Sequence, residues 1–157
     1  MSKRCVALLS MGLAAFAVHA GSETKTAESA SDCWLRTMTG GDADAVAACY
    51  QEDAVMWFPG GPMAMGRAAI RDGYAGYFDA YVIKEATLSE MGHTGSGDTM
   101  TAWGTFRIVM QSKADGSEIT EVGRFTDVQR LVDGRWLYAV DHASDDPPAA
   151  PAASPQG

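Results

Sequence analysis

The chain has 157 residues, 46% of them hydrophobic, which is enough for one domain with a buried core. Its 20 acidic and 12 basic side chains give a formal net charge of −8 at pH 7. Nucleic acid backbones and anionic membrane surfaces attract positively charged proteins, so this composition argues against both as partners.

The first 20 residues have the pattern of an export signal. Lys3 and Arg4 form a basic start, Cys5 to Val18 is an apolar run, and a cleavage site with small residues ends at Ala20. A membrane anchor is the less favoured alternative, because a span needs about 20 apolar residues. Cleavage would leave a mature chain with a formal charge of −10, and we expect that chain in the periplasm or outside the cell.

One compact domain is predicted between two less ordered ends. Residues 21–30 are rich in Ser, Thr, Glu and Ala and read as a flexible segment. The Pro- and Ala-rich tail, residues 145–157, has no large apolar residue and is expected to be disordered. The domain should therefore span residues 31–144.

Three helices are predicted in the first half of this domain. The first should end at Gly40-Gly41, since glycine commonly follows a helix. Asp42 is a suitable cap for a second helix over residues 43–50. Apolar residues at helical spacing predict a third helix over about residues 67–79.

Strands dominate the second half. An early strand over residues 54–58 should end at the breaker Pro59-Gly60-Gly61-Pro62. Four longer strand-like segments follow the third helix, over residues 81–91, 100–111, 118–131 and 135–143. Helices first and an antiparallel meander afterwards predict an α+β fold.

Two cysteines, Cys33 and Cys49, would remain after signal cleavage. Each lies eight residues from Gly41, so in a helical hairpin turning there both would sit about 12 Å from the turn. An even number of cysteines in an exported chain favours a disulfide. Two buried free thiols are the alternative if the chain is not exported.

The turn Asp133-Gly134 fixes which polar residues of the last two strands share a face. A two-residue loop there pairs Val132 with Arg135, Phe125 with His142 and Asp127 with Val140. Asp127 and His142 then become diagonal neighbours within reach of each other's side chains. A three-residue loop would instead place Asp127 opposite Ala139.

The pair Asp127 and His142 has two interpretations. It could be a buried acid and base, or a couple that orients a ligand. It could equally be a structural hydrogen bond between two strands. Adjacent strand residues point to opposite faces, which argues against a triad of Asp141, His142 and Ser144. No metal-ligand spacing and no nucleotide-binding loop is visible, so no cofactor is expected.

Several ordered segments resemble the SnoaL-like branch of the nuclear transport factor 2-like superfamily, over roughly residues 28–144. They are Gly41-Asp-Ala-Asp-Ala-Val46, Tyr50-Gln-Glu-Asp-Ala-Val55, Pro59-Gly60 with Gly66-Arg-Ala-Ala-Ile70, Asp133-Gly-Arg-Trp136 and His142-Ala-Ser144. The resemblance implies a cone of curved antiparallel sheet packed on three N-terminal helices, as in cystatin-like folds. It also implies frequent dimerisation through the outer sheet face.

Two relatives in this superfamily give expectations at single residues. Relative to ketosteroid isomerase, Phe58 replaces the general-base aspartate, Trp34 replaces the oxyanion tyrosine, and Asp127 matches the hydrogen-bonding acid. That isomerase chemistry is disfavoured, because a phenyl ring accepts no proton. Relative to the association domain of calmodulin-dependent kinase, the ending resembles a His-x-His-x-Ser pattern in which Val140 replaces the first histidine and His142 and Ser144 are retained. Both comparisons imply that Asp127 and His142 face the cavity.

Six residues are expected to bind the ligand. Five are aromatic, and a sixth, arginine, could meet a ligand carboxylate: Trp34, Phe58, Tyr74, Trp103, Phe125 and Arg107. The leading hypothesis is an exported homodimer that binds a small apolar or aromatic ligand in its cone. The alternatives are a lyase, isomerase or hydrolase using Asp127 and His142, and a homo-oligomeric assembly domain.

Overall fold

The computed structural model describes residues 27–146. The predicted export signal, most of the flexible segment and nearly all of the predicted tail lie outside that range. The described part contains three helices: α1 (Ala30–Met38), α2 (Ala43–Ala47) and α3 (Arg67–Ala80). It contains six strands: β1 (Tyr50–Trp57), β2 (Met63–Met65), β3 (Tyr81–Ser96), β4 (Thr99–Ser112), β5 (Glu118–Val132) and β6 (Arg135–Asp145).

Side-chain caps begin the first two helices. Ser29 accepts a hydrogen bond from the backbone N–H of Asp32, and Asp42 accepts from the N–H groups of Asp44 and Ala45. The second helix ends earlier than predicted, at Ala47, and Tyr50 already belongs to β1.

The strands form one curved, unclosed sheet in the order β2-β1-β6-β5-β4-β3. Only the pair β1 and β6 is parallel among the described strands. The predicted α+β class is therefore confirmed. The breaker at residues 59–62 does not end the sheet, because the chain turns there and returns as the short strand β2.

The core lies between the helices and the concave face of the sheet. Its buried members come from every helix and from four strands, and include Met38, Val46, Tyr50, Ile70, Phe106 and Tyr138. A disulfide between Cys33 and Cys49, with Cα atoms 5.8 Å apart, joins α1 to the segment between α2 and β1.

The hairpin of β5 and β6 begins as predicted and then changes register. Val132 pairs with Arg135 across a turn in which Asp133 and Gly134 both have positive φ, as a two-residue hairpin requires. The pairing then shifts between Val128 and Gln129, which leaves Ala139 as an extra residue.

This bulge reverses the facing of the rest of β6, because a one-residue shift moves every later side chain to the other face. Asp127 pairs with Asp141, and His142 pairs with Thr126. The predicted pairings of Asp127 with Val140 and of Phe125 with His142 are therefore wrong, as is the alternative with Ala139.

Candidate functional site

An open cavity of about 70 Å³ lies between the helices and the concave sheet face. One water needs roughly 10–15 Å³ on this measure, so the cavity has room for a small molecule. Its wall is mostly apolar and aromatic, with rings from α1, α3, β4, β5 and β6. The carboxylates at its wall belong to Asp141 and Glu121.

A chain of hydrogen bonds with one direction ends on Asp141. The Trp34 Nε1–H donates to the Tyr74 hydroxyl at 2.9 Å, and the Tyr50 hydroxyl donates to Asp141 Oδ2 at 2.7 Å. The two hydroxyls are 3.0 Å apart. Because Tyr50 has one hydroxyl hydrogen and gives it to Asp141, Tyr74 must be the donor between them. The chain therefore fixes one carboxylate oxygen of Asp141 at the cavity wall.

The environment of Asp141 makes its carboxyl group less acidic than usual. Burial raises its pKa to about 6, against opposing contributions from the Tyr50 hydrogen bond and from the nearby His142. No hydrogen bond from a described residue reaches its other oxygen, Oδ1. A carboxyl group with one free oxygen and a pKa close to neutrality can orient a polar ligand or transfer a proton.

A second hydrogen-bonded carboxylate lies where helix α3 meets the sheet. The Tyr77 hydroxyl donates to Glu121 Oε2 at 3.0 Å, and both residues line the cavity. Burial is the main cause that raises the pKa of Glu121. The same two residues also line an open groove on the far side of the pair.

Asp127 is buried beside this cavity but does not line it. Its Oδ1 accepts from Gln129 Nε2 at 3.0 Å, and Gln129 also bonds the backbone N–H of Ala30 and the hydroxyl of Ser31. Among the described residues no hydrogen-bond donor reaches Asp127 Oδ2. Burial raises its pKa to about 7. These contacts tie β5 to the start of α1. The predicted structural hydrogen bond between Asp127 and His142 does not form, because His142 lies on the other face of the sheet.

Three residues predicted at the site point away from the cavity. His142 is exposed on the other face of the sheet, where its ring meets Trp57 edge-on with centroids 5.9 Å apart. Trp103 is 43% exposed, and Arg107 is exposed and donates to Glu85 at 3.3 Å. The expected cavity positions of these three residues are wrong. Alternation along β4 turns Trp103 and Arg107 outward, and the bulge turns His142 outward.

The other predicted aromatic residues line the cavity: Trp34, Phe58, Tyr74 and Phe125. Sequence reasoning missed Asp141, because its facing depends on the bulge at Ala139. It also missed Glu121 and the aromatic residues Tyr50, Phe106 and Tyr138. The alternation of Phe106 and Ile108 with polar residues was a usable signal in β4.

Residues 27–146 hold no cluster of three or more potential metal ligands. None of the helices in this range is long and apolar enough to cross a membrane.

A curved sheet wrapped on three helices, with a cavity at its concave face, defines the class of this protein as α+β and cystatin-like. Residues 33–139 match the model of the SnoaL-like domain family. The chain therefore belongs to the SnoaL-like family. No curated protein matches it.

Solved structures of the nuclear transport factor 2-like superfamily are similar to this chain. A ketosteroid isomerase-like protein from Erwinia carotovora atroseptica has a TM-score of 0.68 and 23% identity, over 82% of this chain and 99% of that one. A proposed scytalone dehydratase from Novosphingobium aromaticivorans has a TM-score of 0.67 and 14% identity, over 73% and 77%. A proposed calcium/calmodulin-dependent kinase II association domain from Xanthomonas campestris has a TM-score of 0.62 and 22% identity, over 75% and 84%. At these identities the likeness concerns the fold alone.

Proposed function

We propose that this protein binds a small, mainly apolar ligand in the cavity and holds the ligand's polar group at Asp141. The observation that carries the proposal is the directed chain from Trp34 through Tyr74 and Tyr50 to Asp141. It presents one fixed polar atom inside an aromatic wall. Ligand sites commonly combine an apolar wall with a few polar groups of this kind.

Native mass spectrometry of protein purified from its own host tests this proposal. We expect a retained small molecule that the variant Ala143→Phe loses, because Ala143 lines the cavity and a phenyl ring would fill it. The control is Ala69→Phe, the same change at an exposed position of α3. If Ala143→Phe still retained the molecule, or if only Ala69→Phe lost it, the result would contradict binding at this site.

Acid–base catalysis on the bound molecule is a second candidate function. The observation that favours it is the pKa of Asp141, which burial raises to about 6, since a general acid or base works best near its own pKa. This lyase, isomerase or hydrolase would use Asp141 in place of the predicted pair of Asp127 and His142. Asp141→Asn should lose turnover, whereas His142→Ala should keep it. A variant Asp141→Asn with full turnover would remove Asp141 from the reaction.

Export and homodimerisation are also proposed. The disulfide between Cys33 and Cys49 supports export, because such bonds persist in oxidising compartments. Exposed apolar side chains on the outer sheet face support a homodimer, among them Trp103, Val122 and Val140. Sedimentation velocity should give a dimer that Val122→Glu dissociates. A monomer before mutation would reject the dimer and the assembly hypothesis with it.

A further inference from the structure

Two buried aspartates lie directly opposite each other on the last two strands. Asp127 of β5 pairs with Asp141 of β6, and the two residues are only 1% and 7% exposed. Directly opposed residues of an antiparallel pair share one face of the sheet, with Cβ atoms about 4.5–5.5 Å apart. The bulge at Ala139 creates this pair, because without it Asp127 would lie opposite Val140. Two carboxyl groups therefore meet on the inner face.

No cationic side chain forms an ion pair with either carboxyl group. None of the salt bridges within residues 27–146 includes Asp127 or Asp141. The charge of Asp141 opposes ionisation of Asp127 and contributes to its raised pKa. Two carboxylates that share a buried site cannot both ionise easily, so one of them tends to keep its proton.

The other groups that face the pair are mostly neutral. Three tyrosines interact with it from β1, α3 and β6, and burial raises the pKa of each: Tyr50, Tyr74 and Tyr138. Helix α1 contributes the hydroxyl of Ser31, which bonds Gln129, and β4 places Ala102 opposite Asp127. His142 lies on the outer face and lowers the pKa of Asp141. The pair therefore has to balance its own charge.

Fixed donors indicate which of the two carboxyl groups keeps the proton. The backbone N–H of Ala30 donates to Gln129 Oε1 at 2.9 Å, so Gln129 Nε2 must donate to Asp127 Oδ1 at 3.0 Å. This leaves Oδ2 of Asp127 for a proton, and Oδ2 is buried without a hydrogen-bond partner among the described residues. Asp141 accepts from the Tyr50 hydroxyl, which favours its ionised form.

We propose that Asp127 and Asp141 form a carboxyl dyad that holds one proton near neutral pH, on Oδ2 of Asp127, and presents Asp141 to the cavity as the ionised member. Asp127 is then a positioning residue, which does not line the cavity but sets the charge of the acid that does. The inference deepens the proposed function and rests on it for the ligand that Asp141 meets. Burial raises the pKa of Asp127 to about 7 and that of Asp141 to about 6, which agrees with one proton between these pH values.

Carbon-13 NMR of the aspartate carboxyl groups, titrated in the free protein, tests the dyad. At pH 6.5 the wild type should have Asp127 mainly protonated and Asp141 mainly ionised. Asp141→Asn should lower the pKa of Asp127 by at least about one pH unit, because the neighbouring negative charge is removed and the side chain keeps its size. If Asp127 had a structural role alone, it would titrate at the same pH in both proteins.

Asp145→Asn is the matched control, because Asp145 is an exposed aspartate on the same strand as Asp141. It should leave the pKa of Asp127 as it is in the wild type. An equal fall in this control would show a general effect of charge and overturn the dyad, as would an unchanged pKa of Asp127 in Asp141→Asn. If Asp141→Asn does not fold, the wild type decides: both groups ionised at pH 6.5, or the proton on Asp141, would overturn the dyad.

The titration needs no ligand, so its outcome is separate from that of the proposed function. Two carboxyl groups that titrate independently would reject the dyad and leave ligand binding at Asp141 standing. If native mass spectrometry finds no retained molecule while the two groups titrate as a pair, the binding function fails and the dyad stands.

Discussion

At the scale of single residues, Tyr50 controls the acid at the cavity. Tyr50 is fully buried and does not line the cavity itself, yet its hydroxyl holds Asp141 Oδ2. A hydrogen bond to a carboxylate favours the ionised form. Tyr50 is therefore a positioning residue that keeps the pKa of Asp141 lower than burial alone would set it.

Replacing Tyr50 by Phe tests this role. We expect Tyr50→Phe to raise the pKa of Asp141 above its value of about 6, because the donor that stabilises the carboxylate is removed. Carbon-13 NMR of the aspartate carboxyl groups during a pH titration measures it. Tyr81→Phe, which changes a half-buried tyrosine elsewhere, serves as the control. An unchanged pKa in Tyr50→Phe would contradict the assigned role.

The second buried carboxyl group, Asp127, makes stability depend on pH. Burial raises its folded-state pKa from 3.8 to about 7, so the folded chain holds a proton there that the unfolded chain releases at lower pH. Binding of this proton stabilises the folded state, and the stabilisation is fully present below about pH 3.8. It is lost as the pH rises toward about 7.

Asp127→Asn should therefore reduce the fall in unfolding free energy between pH 5 and pH 8. Urea denaturation of the wild type and the variant at both pH values measures the difference. Asp79→Asn removes an exposed carboxyl group and should leave the pH dependence as it is in the wild type. The same pH dependence in all three proteins would mean that Asp127 does not titrate in this range.

At the scale of elements, glycines on β4 and β5 make room for the rings of the cavity wall. Phe106 pairs with Gly123, and Phe125 pairs with Gly104 on the same two strands. A Cβ on Gly123 would lie 2.6 Å from the ring of Phe106 and 2.2 Å from the carbonyl oxygen of Ser144. Each ring therefore covers the backbone of the opposite strand, and the wall is built from reciprocal pairs.

Gly123→Ala should disturb this wall. We expect it to lower the free energy of unfolding by about 2 kcal/mol or more, as overpacking does, and to weaken binding of the proposed ligand by moving Phe106. Gly76→Ala is the matched control, since a Cβ on Gly76 in α3 meets nothing within 4 Å. That change should stabilise the protein by roughly 0.5–1 kcal/mol. Thermal and urea denaturation compare the two, and a neutral Gly123→Ala would contradict the close packing.

At the scale of the whole molecule, the disulfide joins helix α1 to the segment that leads into the first strand of the sheet. Cys33 and Cys49 are 16 residues apart in sequence. Closing a loop of about this length in the unfolded chain stabilises a protein by about 3 kcal/mol in the chain-entropy account. The double variant Cys33→Ala/Cys49→Ala should lose a similar amount.

Urea denaturation with and without a reducing agent measures this contribution. The reduced wild type and the double variant should have closely similar midpoints, and the reducing agent should not affect the variant. If it leaves the midpoint of the wild type unchanged as well, the two thiols are not bridged in the purified protein.

The sequence by itself determined the α+β class, the family, the three helices and the two-residue turn at Asp133-Gly134. These features follow from local signals: helix caps, the alternation of apolar residues, and glycines at positions with positive φ. It also indicated four of the aromatic residues that line the cavity. The comparison with ketosteroid isomerase indicated Trp34 and Phe58, helical spacing indicated Tyr74, and the alternation along β5 indicated Phe125.

Only the tertiary structure decided which carboxyl group of the last two strands lines the cavity. The extra residue Ala139 reverses the facing of β6, so Asp141 takes the inward position opposite Asp127 that reasoning from the turn gave to Val140, and His142 turns outward. A bulge depends on how two strands twist across a whole sheet, and no local pattern near Ala139 encodes it. The chain from Trp34 to Asp141 likewise joins residues up to 107 positions apart in sequence, and only their packing brings them together.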